Sequence, residues 1–209
     1  MFLRSLFYVL LSLTVLPVAG DSTPSSYSEL NALLNAFSSI KARFQQTVYS
    51  PDDYLIHESS GHMLASVPGK LRWQVETPSS QSIITNGDTL WMYEPDLEQV
   101  VIKAVDPDMT ATPGLLLAGS TPALERQYDI TAIDSDGMRI FQLKPKAEAG
   151  YYKSLALVFN GQRPAGITIV DSLGQETRIG FTDVTVNEVI DPATYEFKPP
   201  PDIDVIRDE

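Results

Sequence analysis

From Ala42 onward the chain is a succession of short segments whose side chains alternate with a period of two, each closed by a turn signal. The segments are RFQQTVYS, GHMLAS, KLRWQVE, QSIITN, TLWMYE and QVVIKAV, then YDITAI, GMRIFQLKP, SLALVFN, GITIVDS, TRIGFTDVTVN and YEFKP. Between them stand Ser59-Ser60-Gly61, Pro68-Gly69, Thr77-Pro78, Asn86-Gly87-Asp88, Pro95-Asp96, Asp136-Gly137, Asn160-Gly161, Leu173-Gly174 and Asp191-Pro192. Strands at this spacing predict an all-antiparallel sheet and exclude a βαβ fold. Asn86-Gly87 is the strongest hairpin signal among them. The sequence shows no repeat or linker that would divide so large a sheet, and it closes with Pro199-Pro200-Pro201 and an acidic tail.

Two stretches depart from the rhythm. SYSELNALLNAF reads as a helix: Ser26 supplies a cap, Glu29 completes a capping box, and Tyr27, Leu30, Leu34 and Phe37 form one apolar stripe. In DMTATPGLLLAGSTPALERQ, Thr112-Pro113 and Thr121-Pro122 each pair a cap with a proline suited to a first helical position. Leu115, Leu116 and Leu117 fall on the first of these short helices, flanked by Gly114 and Gly119. Such a helix suits either a movable cover or a packed connector between sheet halves.

The strand TLWMYE is apolar on both faces, Leu90 and Met92 on one and Trp91 and Tyr93 on the other. A strand with one face in water should alternate apolar with polar, so something other than water covers its second face. KLRWQVE alternates cleanly, with Leu71, Trp73 and Val75 opposite Lys70, Arg72, Gln74 and Glu76. It is either a core strand with a polar back or one wall of an apolar cavity.

Composition bounds the function. Residues 1–20 carry Arg4, an apolar run from Leu6 to Leu16 and the small residues Val18-Ala19-Gly20, the pattern of a secretory signal peptide cut before Asp21. Residues 21–209 are then expected to form a single domain. The chain has no cysteine, so neither disulfides nor a lipid anchor on a cysteine is available. A net charge of −12 disfavours nucleic acid and anionic lipid headgroups as partners. Motifs of catalysis are absent: no HExxH, G-x-S-x-G, P-loop or G-x-G-x-x-G occurs. The two histidines, His57 and His62, flank a turn-like ESSG, and the carboxylates gather in turns and at the tail. No catalytic, metal or cofactor site is expected.

The order of motifs resembles the LolA family of periplasmic outer-membrane lipoprotein carriers. The resemblance rests on Phe44 to Gln46, Pro68 to Trp73, Pro78 to Gly87, Leu90 to Val100, Thr112 to Gly119 and Phe197 to Pro200, and it spans nearly all of residues 21–209. It implies a mainly β fold with short helices: an unclosed antiparallel β half-barrel whose concave apolar face is capped by helices. It implies a soluble, non-enzymatic chaperone of the periplasm. Such a carrier would take triacylated lipoproteins from an ATP-driven inner-membrane release complex and deliver them to an outer-membrane receptor. By the family pattern Val48, Leu71, Trp73 and Ile83 face the acyl-chain cavity, and Leu34 with Leu115, Leu116 and Leu117 forms the lid. The chain departs from the pattern at Val67, where many members carry an Arg that bonds the lid backbone, and at Leu71, where an aromatic is common. A monomer is expected. Rival readings are a carrier of another lipid or glycolipid on the same half-barrel and a hydrolase using His57 or His62. The membrane-anchored receptor of the same pathway would need the cysteine this chain lacks.

Overall fold

The computed structural model describes residues 25–105, 114–118, 121–147 and 152–208. Residues 1–20, read above as a signal peptide, and the Thr112-Pro113 helix start lie outside these. Helix α1 (Ser26–Asn35) leads into β1 (Ser39–Tyr49), β2 (Leu55–Ser66), β3 (Lys70–Thr77), β4 (Gln81–Thr85), β5 (Thr89–Glu94) and β6 (Gln99–Ala104). Helices α2 (Leu115–Ala118) and α3 (Thr121–Gln127) follow, then β7 (Tyr128–Ser135), β8 (Met138–Pro145), β9 (Tyr152–Asn160), β10 (Arg163–Asp171), β11 (Glu176–Val186) and β12 (Asp204–Asp208). The strands form a 12-stranded sheet in the order β12-β6-β5-β4-β3-β2-β1-β11-β10-β9-β8-β7. Its edge strands β12 and β7 do not pair with one another, so the barrel is unclosed. The expected fold class is observed.

Register places one apolar side chain against the next across the sheet. Trp73 lies opposite Met63 on β2 and Ile83 on β4, and Ile83 lies opposite Met92 on β5. In the other half, Phe44 pairs with Phe181, Ile179 with Ile167, Ile167 with Leu157 and Leu157 with Phe141. These residues share the concave face. With Leu30, Leu34 and Phe37 of the α1 segment and Leu116, Leu117 and Ala118 of α2, all of them but Met92 make the main core.

A second, smaller core lies on the convex side. Ile84, Trp91 and Val100 are buried there against Tyr93, Ile102, Phe197, Ile203 and Val205. The covering comes from the C-terminal segment. Asp191 caps a 3₁₀ turn over Pro192–Tyr195, Tyr195 is buried with its hydroxyl 2.7 Å from Ser66 Oγ, and the Phe197 ring sits 5.2 Å from that of Tyr93. This is what covers the second apolar face of the Leu90–Tyr93 strand. Trp91 and Tyr93 meet the C-terminal segment; Leu90 and Met92 belong to the concave side.

Four local expectations are corrected. Tyr195–Pro199 is not a strand; the last strand is Asp204–Asp208 in the acidic tail, and it pairs parallel to β6, so the sheet is not wholly antiparallel. Ser59-Ser60-Gly61 is not a turn but lies inside β2, where the register against β3 shifts at Gly61. A Cβ at Gly61 would stand 1.9 Å from the Gln74 carbonyl oxygen, so close backbone approach requires glycine there. The cap of α1 is Ser25, whose Oγ accepts from the Ser28 N–H, one residue before the expected Ser26. Glu29 makes no capping box and pairs with Arg139.

Candidate functional site

The helices cover one end of the concave face. Leu71, Met63 and Ala65 are fully buried beneath them, and Leu34, Leu116 and Leu117 are buried above, with Leu115 half-buried. Gly114 enters α2 so close to the sheet that a Cβ there would stand 3.0 Å from a Leu71 methyl and 3.1 Å from the Trp73 ring. Glycine therefore lets this short helix lie flat on β3. The backbone joins α2 to the β2–β3 turn through one bond, the Gly69 N–H donating to the Ala118 carbonyl at 2.7 Å. Val67, two residues earlier, is substantially exposed and has no guanidinium to offer.

The other end of the concave face is open. A cavity of about 630 Å³ lies there, lined on its apolar side by Trp73, Val75, Ile83, Ile169 and Leu97. Gln46, Ser59, Gln81, Glu94 and Asp171 give its mouth a polar rim. Tyr152 also lines it, its phenol pushed above the ordinary tyrosine range by burial first, then by Tyr128 and Asp171. Trp73 stands at the boundary between lid and cavity, stacked on Phe44 with ring centroids 3.9 Å apart and edge-on to Phe181 at 6.5 Å. The three rings make this part of the cavity wall a buried aromatic cluster.

Of the residues expected to face acyl chains, Trp73 and Ile83 line the open cavity. Leu71 lies under the α2 segment at 0 % exposure. Val48 falls on the same face by register, opposite His57 and Thr177, but outside the lining of this cavity. The expected lid residues all belong to the main core, Leu115, Leu116 and Leu117 on α2 over β2 and β3, and Leu34 on α1, whose strand contacts are chiefly with β7. His57 and His62 both sit on β2 but five residues apart, and so on opposite faces. His57 borders the cavity, while His62 Nδ1 lies 2.9 Å from Glu76 on the convex side. They cannot act together on one bound group. Among the described residues no group of three or more His, Cys, Asp or Glu could hold a metal ion.

Sequence reasoning missed Ile169, whose alternation on β10 was visible but whose place beside the first half of the chain was not, and Tyr152, which precedes the expected strand SLALVFN. It also missed Arg139. By the β8 alternation Arg139 shares the face of Phe141 and Leu143, a cation at the end of an apolar surface.

These features define a class: an open half-barrel that shields an apolar concave surface under small helices and leaves a cavity of about 630 Å³ beside them. The family follows from comparison. The model of the outer membrane lipoprotein carrier protein LolA matches residues 35–198. An outer-membrane lipoprotein carrier protein of Chromohalobacter salexigens is 38 % identical over 193 residues, covering 92 % of each chain. One from Pseudomonas paraeruginosa is 35 % identical over 207 residues, 99 % of each. The chain belongs to the LolA family of outer membrane lipoprotein carrier proteins. The fold is shared with an uncharacterized conserved protein of Thermus thermophilus, at TM-score 0.57 and 14 % identity over 88 % of this chain and 100 % of that one. A LolA superfamily protein of Nitrosomonas europaea has TM-score 0.50 at 14 % identity, over 83 % and 99 % of the two chains.

Proposed function

We propose that this chain is a soluble periplasmic carrier that takes up the acyl chains of triacylated lipoproteins and keeps them from water. An ATP-driven inner-membrane complex would load it, and an outer-membrane receptor would receive the cargo. Residues 1–20 would direct export and be removed, leaving 21–209 as the working monomer. The observation that carries the reading is the shared surface: the start of α2 at Gly114 and the cavity wall meet at Trp73, so hydrocarbon entering beside Trp73 would compete with the α2 cover. In keeping with it, no helix among the described residues is long and apolar enough to cross a membrane.

The energetics favour a yielding site. Each buried methylene is worth about 0.8 kcal/mol, so one chain of ~16 carbons fully buried would contribute on the order of 12 kcal/mol. Several chains held in a rigid pocket would not be released. A lid that must be displaced subtracts its own burial from that sum and makes handover possible. Transfer of this kind breaks no covalent bond, and neither catalytic residue nor cofactor is required of the chain.

The test is release from spheroplasts that are secreting lipoproteins. Purified 21–209 should bring intact triacylated lipoprotein into the soluble fraction in a one-to-one complex. If lipoproteins stay in the membrane while free lipid or glycolipid co-purifies with the chain and is identified by mass spectrometry, the cargo assignment is wrong.

A further inference from the structure

Helix α1 is fixed at its two ends in different ways. At its C-terminal end Asn187 anchors the chain by several bonds: its side-chain amide donates to the Ala36 carbonyl at 3.1 Å, its Oδ1 accepts from the Ser38 N–H at 2.7 Å, and its own N–H donates to the Ser39 carbonyl at 2.9 Å. Asn187 holds φ at 62°, a left-handed value that asparagine tolerates better than most residues. Near the N-terminal end the helix meets the barrel through one side-chain fork. Arg139 Nε donates to Glu29 Oε1 at 2.9 Å and Nη2 to Oε2 at 2.6 Å. The remaining Nη1 donates to Asp134 Oδ2 on the neighbouring strand at 2.9 Å, and the guanidinium carbon stands 5.7 Å from the centre of the Phe141 ring. Between anchor and fork lie Leu30 and Leu34, both turned into the main core, and Phe37 packs into the same core at the anchor itself.

We propose that Arg139 is the positioning residue that latches α1 over the concave face, and that α1 swings about the Asn187 anchor when the fork parts. The proposal rests on the carrier reading for its purpose, since what the swing uncovers is the apolar surface assigned to hydrocarbon. The geometry suits a reversible latch. A bidentate arginine–carboxylate pair is directional and stronger than a neutral hydrogen bond, yet both partners stay about one-third exposed, at 29 % and 34 %, so water replaces each at modest cost. Asp134 and Phe141 hold the guanidinium on the barrel side, so the fork can break at Glu29 while Arg139 stays in place. Val67, beside the α2 end of the cover, carries no cation, and Arg139 sits on the opposite half of the sheet. Apolar contact alone would let α1 slide; the fork fixes where it returns.

Hydrogen exchange on the ligand-free protein 21–209 tests the latch without any cargo. In Arg139→Gln the α1 amides should exchange roughly three- to fivefold faster than in the parent, the upper range for losing a partly exposed ion pair. Exchange in β1, β2 and β10 should be unchanged. Arg139→Lys, which keeps the charge but not the fork, should fall between. Asp134→Asn, which leaves both bonds to Glu29, should stay within twofold of the parent. A fluorescent palmitate analogue should bind and leave faster in Arg139→Gln. Unchanged α1 exchange, or an equal rise across the whole sheet, would overturn the latch. If the analogue binds neither protein, the carrier reading fails while the exchange result still decides whether Arg139 holds α1.

Discussion

The convex covering of β4, β5 and β6 and the concave covering of β2 and β3 are built differently. On the convex side the C-terminal segment is stitched in by backbone: β12 pairs with β6 from Asp204–Gln99 to Asp208–Lys103, and the Asp204 N–H donates to the Glu98 carbonyl. Tyr195 is buried to 1 % exposure and bonded to Ser66, and the Arg72 guanidinium donates to the Thr194 carbonyl. On the concave side the described part of α2 has four residues, with one backbone bond to the β2–β3 turn. The first covering completes the sheet; apart from that bond the second rests on side-chain packing. Segments with few backbone bonds to their surroundings open below the global unfolding free energy, and ligand-admitting elements are drawn from that end of the scale.

The largest effect should come from the stitched side. Tyr195→Ala removes a buried ring and its hydroxyl partner and should cost about 3–4 kcal/mol in urea unfolding. Palmitate-analogue binding per folded molecule should be unaltered. A small loss of stability would break the distinction, because the strap would then be as replaceable as the lid. Leu117→Ala is the matching change in the lid. A leucine in a static core would cost ~2–5 kcal/mol. Here the cost is capped by the lid's own opening free energy, so a loss near 1–2 kcal/mol is expected, with tighter analogue binding because less burial opposes entry. A full-size loss with unaltered binding would make α2 ordinary core.

How much of this was legible in the sequence follows from what each element depends on. Period-two alternation exposed the strands because each buries one face, and Leu90–Tyr93 exposed a second covering because it buries two. What supplied that covering was hidden. β12 is short, acidic and an edge strand whose placement is set by the small core under Trp91 and Val100 rather than by its own pattern. Ser59-Ser60-Gly61 looked like a turn because the composition of a turn and of a bulge with a tight backbone approach is the same. The cavity wall at Trp73 and Ile83 could be read from alternation together with the family motifs. Ile169 and Arg139 could not, since a face is visible locally but its partners are joined across more than a hundred residues. Glu29 was assigned to a capping box on spacing alone, and a long-range arginine took it instead.

Smaller effects sharpen the comparison. Burial raises the Tyr195 phenol above its ordinary value, against a lowering by the Ser66 hydrogen bond. The neutral form is thus favoured in the folded chain. Its contribution is complete below the ordinary tyrosine pKa of about 10 and is lost as pH rises through the higher folded value. Urea midpoints should therefore fall in the alkaline range, and Tyr195→Phe should flatten part of that fall. Tyr152, shifted the same way, contributes with the same sign. The smallest change is expected from Val67→Arg. With the Ala118 carbonyl already accepting from Gly69, an added arginine should move analogue affinity by less than about twofold, as exposed ion-dipole contacts do. A larger shift would mean that the backbone bond alone leaves α2 loose.

The central claim is that hydrocarbon takes the place of the lid while the strap stays closed. Hydrogen exchange with and without bound palmitate analogue tests it most directly. Bound analogue should speed exchange at the Gly69 N–H, whose acceptor is carried by α2, and along α1, while β12 and β6 keep their protection. Added protection at Gly69 and α1 with bound analogue, or loss of protection at β12, would contradict it.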